Sequence, residues 1–234
     1  MGFTVWKYQS CLCVSCYTKS VRSSARMRNI VFVLLLLSAG LLLLGETVMV
    51  MPVLFAVLFL YGAKLQFRSA RFLKAKIFCT VLAFSLLFEV AAILKGYGTN
   101  EFGGGTLFHP NPGLDILISL LYWVPYSVFW THLFTRYSYT PKKLFLLGGS
   151  YGVLTEQFFF IPLLLFTLNP FVLVAAPYVF VLYGGAIAAP YLILERILPH
   201  DKPVDKRQYW LPMVALFPML AIVFVLAHVL VGGW

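Results

Sequence analysis

The sequence predicts an all-α polytopic membrane protein, a bundle of seven transmembrane helices with the N-terminus cytoplasmic and the C-terminus outside. Three observations lead there. The 234 residues are 61% hydrophobic and only 11% charged. That is about half the charged share of an average soluble domain, so the solvent for this surface is lipid. Apolar runs cover about residues 29–45, 47–63, 77–95, 113–135, 144–166, 170–194 and 209–231. The third observation is where the basic residues fall. If the chain starts inside and every run crosses, 17 of the 18 Lys and Arg lie in inner segments, and Lys95 alone lies at an outer helix end. That asymmetry fixes orientation by the positive-inside rule.

The elements follow in order. The first two runs, of about 17 residues each, are at the low end of the spanning range of about 17–25. Glu46, next to Gly45, is the single charge in residues 30–63. The expected form is a tight hairpin turning at Gly45-Glu46; the alternative is one long span followed by an interfacial stretch. The remaining runs, of 19 or more residues, can each cross a core of about 30 Å at a rise of about 1.5 Å per residue. Trp130 and Trp210 near the inner boundary, and Trp234 at the outer one, fit an aromatic belt. The net charge of +10 is spread over short inner loops, which argues for topology anchoring against anionic lipid and against nucleic acid as a partner.

Residues 1–28 have no apolar period and are expected to be a disordered cytoplasmic segment or the product of an upstream start site. Met27 would then open the membrane domain of residues 29–234. The stretch after Met27 also has the basic start and apolar core of a signal peptide; without a clean small-residue cleavage site it reads as an uncleaved first helix. Cys11, Cys13 and Cys16 lack a fourth metal ligand nearby and read as free thiols open to palmitoylation. Cys79 reads as a small apolar helix residue.

Gly148-Gly149-Ser150-Tyr151-Gly152 matches a serine-nucleophile pattern, and His228 is a conceivable base. Their depths differ: Ser150 lies about 9 Å and His228 about 28 Å from the inner face. A nucleophile and its base must meet within about 3 Å. The glycines therefore read as a packing face, Gly148 with Gly152, echoed by Gly184 with Ala188 and Gly185 with Ala189.

The acidic residues are more informative. Glu89 and Glu156 each lie 12 residues into spans that run inside to outside, about 18 Å deep and close to the midplane. An ionisable group there costs at least about 2.5–3.5 kcal/mol on insertion scales and usually faces the bundle interior. The expectation is that the two carboxyls face each other and share a proton, one acting as acid and the other as base. Gln157, Asp115 and His228 are second-rank candidates on the outer side, and Trp123 and Tyr126 could line a pocket for a polyene or a cation. Pro52, Pro125, Pro162, Pro177 and Pro218 lie inside five spans and favour bent helices around a cavity. Glu89 precedes Asn111-Pro112 and Glu156 precedes Asn169-Pro170, a faint repeat of the kind found in some transporters. Neither a metal site nor a nucleotide or other cofactor site is expected; Gly103-Gly104-Gly105 lacks the strand–helix context of a phosphate loop.

The stretch Phe88–Trp130 resembles the membrane-bound carotenoid-biosynthesis proteins that include carotenoid hydratases. The resemblance rests on Glu89, Gly96, Phe102-Gly103, and then Trp123 or Pro125. The interval from Gly96 to Phe102 is longer than in that family. Where the family has Trp-Asp and Asp-Pro, this chain has Thr155-Glu156 and Ile161-Pro162. The resemblance implies a lyase or cyclase of a prokaryotic cell membrane that protonates a double bond of an isoprenoid or other apolar lipid. Such chemistry needs a carboxylic acid kept protonated in a dry pocket and a partner base. A small proton-coupled or lipid transporter would use the same glutamates as a relay. A non-catalytic helical scaffold is the third reading.

Overall fold

A computed structural model describes residues 29–30, 32–34, 36–38, 40, 47–99, 109, 111–155, 160–199 and 205–231. Every element among them is helical, and none is a strand. The helices are α1 (Thr47–Leu65), α2 (Leu73–Thr99), α3 (Pro112–Arg136), α4 (Pro141–Thr155), α5 (Phe160–Phe166), α6 (Val172–Leu194) and α7 (Arg207–Val231). A 3-10 turn, Glu195–Ile197, extends α6. Helical residues between 29 and 40 precede them. The turn expected at Gly45-Glu46, the cysteines of the N-terminal segment, Glu156, Gln157 and Trp234 lie outside the described residues.

Among the described residues three helical stretches are long and apolar enough to cross a membrane: Leu73–Leu94, Pro112–Arg136 and Val172–Ile197. Their burial pattern is that of helices in lipid. On α3 the residues turned outward are Leu117, Leu121, Val124 and Val128, whereas the buried face carries Asp115, Ser119, Tyr122, Tyr126 and Trp130. Those positions recur at the three- and four-residue spacing of one helix face.

Local chemistry sets the helix ends. The Asn111 side chain accepts hydrogen bonds from the backbone N–H groups of Gly113 (2.9 Å) and Leu114 (3.3 Å), and Pro112 supplies a first turn that needs no N–H. Asn169 does the same kind of work before α6, accepting from the Phe171 N–H at 2.9 Å. The Asn-Pro echo therefore marks two turns that lead into helices, but only Asn111 is itself a helix cap. Asp205 accepts from the Arg207 N–H at 2.9 Å and opens α7. Leu168, with φ of 51°, turns the chain in the left-handed region after α5. Helix α2 begins four residues before its apolar run, at Leu73, because Lys74 and Lys76 can lie along the first turn with their amines in water.

Helix α4 packs most extensively against α6, and α2 against α3. The α1–α2 link is tied to the C-terminal end of α6: the Phe67 N–H bonds the Ile193 carbonyl at 3.2 Å and Gln66 Nε2 the Leu192 carbonyl at 3.2 Å. Trp130 departs from the belt expectation. It is 1% exposed and packs among Tyr126, Phe134 and Tyr139, because it shares the inward face of α3. Trp210 is 50% exposed. Cys79 is a free, exposed thiol.

Candidate functional site

The site grows from the facing stripes of α2 and α3. On α2, Ser85 and Glu89 are one turn apart and buried, while Leu87, Val90 and Leu94 point outward. On α3, Asp115, Ser119, Tyr122 and Tyr126 form the buried stripe. A polar side chain against lipid loses water without replacement, so both helices turn their polar faces toward each other.

Glu89 is 5% exposed and Asp115 is fully buried. Trp123 Nε1 donates a hydrogen bond to Glu89 Oε2 at 3.1 Å. The Glu89 carboxyl also lies within hydrogen-bonding reach of the Asp115 carboxyl. Asp115 Oδ1 in turn accepts the His109 backbone N–H at 2.8 Å, which ties the carboxyl pair to the segment leading into α3. A hydrogen bond between two carboxyl groups requires a proton on one of them.

Beside Trp123 is a small cavity of about 30 Å³ lined by Ser85, Phe88, Trp123 and four tyrosines, Tyr122, Tyr126, Tyr151 and Tyr183, with Ala186 and Ile187. The rings form a shell: Tyr122 and Trp123 centroids are 4.7 Å apart, Trp123 and Tyr126 5.3 Å, and Phe88 and Tyr183 5.7 Å. The Tyr151 hydroxyl is near that of Tyr122 but has no well-formed hydrogen bond. A space of this size holds one water, which needs two to four polar partners; the phenols and Ser85 are such partners.

Of the residues the sequence nominated, Glu89, Asp115 and Trp123 come together and Tyr126 lines the adjoining cavity. Glu156, Gln157 and the side chain of His228 are outside the described residues, so the Glu89–Glu156 pair is not among the contacts seen. Sequence reasoning missed Tyr122, Tyr151 and Ser85. Tyr122 lies one turn before Tyr126, and Ser85 one turn before Glu89, so the same spacing would have found two of them. Among the described residues no cluster of three His, Cys, Asp or Glu could hold a metal ion.

Comparison with protein-family models, with characterised proteins and with solved structures gives no match. The fold and the site define the class: an all-helical membrane protein with a carboxyl pair buried between two apolar helices.

Proposed function

We propose that this chain is an intramembrane acid–base enzyme acting on a double bond of an isoprenoid or similar apolar lipid. The observation that carries the reading is the join of two features: two buried carboxyls side by side, and an aromatic shell reached through Trp123. The proton of the Glu89–Asp115 pair passes to one alkene carbon, and positive charge develops on the other. The faces of Trp123, Tyr122 and Tyr126 stabilise that charge by cation–π attraction. Water adding to the cation returns a proton to the carboxylate and gives the alcohol; a second double bond adding instead closes a ring and moves the charge to a ring carbon, and loss of a neighbouring C–H proton to the carboxylate gives the cyclic alkene. The cavity admits one water but no five-carbon unit, so substrate binding requires the Phe88–Tyr183 contact to open.

The test is expression of the full chain in bacterial membranes supplied with an acyclic isoprenoid, with mass analysis of the extracted lipids. Glu89→Gln and Asp115→Asn should each lower formation of the hydrated or cyclised product by at least about 100-fold. The reading fails if both variants accumulate normally and convert as the parent does.

The accompanying topology is seven spans with the N-terminus inside, supported by the distribution of basic residues. Reporter fusions after residues 70, 140 and 202 should read cytoplasmic and one after residue 105 external. An external reading at residue 70 would remove the hairpin.

A second reading is favoured by one observation. Asp115, Ser119, Tyr122 and Tyr126 line three turns of one buried face, about 16 Å of helix, which suits a proton relay in a small transporter. Proton flux in proteoliposomes carrying a pH-sensitive dye, lost in Glu89→Gln, would favour transport over chemistry.

A further inference from the structure

The inner ends of α4 and α7 touch only lightly and leave a groove of about 520 Å³ between them. Its inner mouth is formed by Lys143, Tyr209 and Trp210, and its floor by Leu146, Leu147 and Met213. Lys143 Nζ donates to the Tyr209 hydroxyl at 2.8 Å and stands 5.3 Å from the centre of that ring.

We propose that this groove binds one anionic phospholipid, with the phosphate at Lys143 and Tyr209 and an acyl chain along the floor. Three features carry it. First, the donor set suits a phosphate. An ammonium has three N–H groups; one is used on Tyr209, which leaves two, and the phenol that accepts that bond keeps its own proton to donate. Second, the charge is complementary. The described lining residues include no carboxylate, and exposed Lys142, Lys206 and Arg207 precede the mouth residues at the starts of α4 and α7. Third, the groove changes character with depth. From Lys143 to Ser150 it follows α4 for seven residues, about 10 Å of rise. The Trp and Tyr of the mouth are the side chains favoured at headgroup level, and the leucines and methionine beyond them match an acyl chain. A free phosphate would use the cation and leave the apolar floor uncovered; a zwitterionic lipid would offer the same phosphate but bring its own ammonium toward Lys142, Lys206 and Arg207.

Native mass spectrometry of the full chain released from detergent micelles tests this, with phosphatidylglycerol and phosphatidylcholine as probes. One phosphatidylglycerol should be retained in preference to phosphatidylcholine. Lys143→Gln, at an exposed position, should weaken that retention about tenfold, equivalent to about 1.4 kcal/mol. Leu147→Trp should fill the floor and weaken both lipids. Lys142→Gln should weaken retention far less than Lys143→Gln, because Lys142 adds charge near the mouth but does not line the groove. Equal retention of the two lipids overturns the proposal. So does a loss in Lys142→Gln equal to that in Lys143→Gln, which would mean diffuse surface charge. Unchanged binding in Leu147→Trp, or a second copy of the chain retained where lipid was expected, overturns it too.

Discussion

The α2–α3 seam and the α4–α6 seam hold the bundle together in opposite ways. Between α2 and α3 the contact is polar: Glu89, Asp115 and Trp123 satisfy one another away from lipid. Between α4 and α6 the contact is backbone against backbone. A methyl group added at Gly184 would stand 2.6 Å from the Phe145 carbonyl oxygen, and one at Gly148 would stand 2.7 Å from the Tyr183 carbonyl oxygen. In lipid there is no hydrophobic drive to bring helices together, so close packing and hydrogen bonds must supply the attraction. The glycine seam uses the first and the carboxyl seam the second. A dry seam has one arrangement. A hydrogen-bonded seam of titrating groups has more than one, which is what proton transfer needs.

The largest effect should come from breaking the dry seam. Gly184→Leu puts a branched side chain where the obstacle is backbone and cannot rotate away. The expected loss is at the upper end of the about 1–3 kcal/mol seen for overpacked cores. It should be read as reduced monodisperse protein and earlier unfolding in detergent. Parent-like stability would mean that α4 and α6 are not in close backbone contact.

A smaller effect should separate structure from chemistry at the polar seam. Trp123→Phe keeps a ring and removes the donor, leaving the buried Glu89 carboxyl one hydrogen bond short at about 1–3 kcal/mol. Glu89→Gln keeps an acceptor for Trp123 and adds an amide donor toward Asp115, so its stability should stay within about 1 kcal/mol of the parent. The expected order in unfolding experiments is parent and Glu89→Gln together, Trp123→Phe below. The reverse order would make the carboxyl a structural ion and sink the contrast.

How much of this was legible in the sequence depended on the quantity being read. Helix α3 was readable almost to the residue: its apolar run covers 113–135 and the helix is Pro112–Arg136. Glu89 was readable as a buried acid because its run has no other reason to contain one. Asp115 was readable only as a second-rank neighbour, because the sequence does not say which faces of α2 and α3 meet. Glu156, the partner the sequence nominated, lies outside the described residues. The direction a side chain faces is also hard to read when both faces of a helix are apolar, which is why Trp130 looked like an interfacial anchor and is core. Tyr151 joined the cavity through the α4–α6 packing, which a single sequence encodes only in its glycines.

The smallest expected effect lies at the end of the bundle where α3 turns into α4, and a third arrangement is found there. Tyr139, in the α3–α4 turn, donates its hydroxyl to the Gln208 carbonyl at 2.9 Å and accepts the Tyr191 hydroxyl on its own carbonyl at 2.6 Å. The first bond has a reason in the sequence. In α7 the Gln208 carbonyl would ordinarily meet the N–H four residues on, and Pro212 has none. Tyr139 supplies the missing donor. Tyr139→Phe should cost about 1 kcal/mol at neutral pH. Burial, the leading cause, also raises the Tyr139 phenol above its ordinary value. The sign follows from proton binding. Below the ordinary phenol value of about 10 the phenol is protonated in both states and its stabilisation is complete. Above it the unfolded chain releases the proton first, so stability falls as pH rises toward the raised folded value. Unfolding measured in detergent near about pH 8 and about pH 11 should show a shallower alkaline loss in Tyr139→Phe than in the parent. Equal slopes would mean that the Tyr139 hydroxyl is already open to water and that Gln208 finds its donor elsewhere.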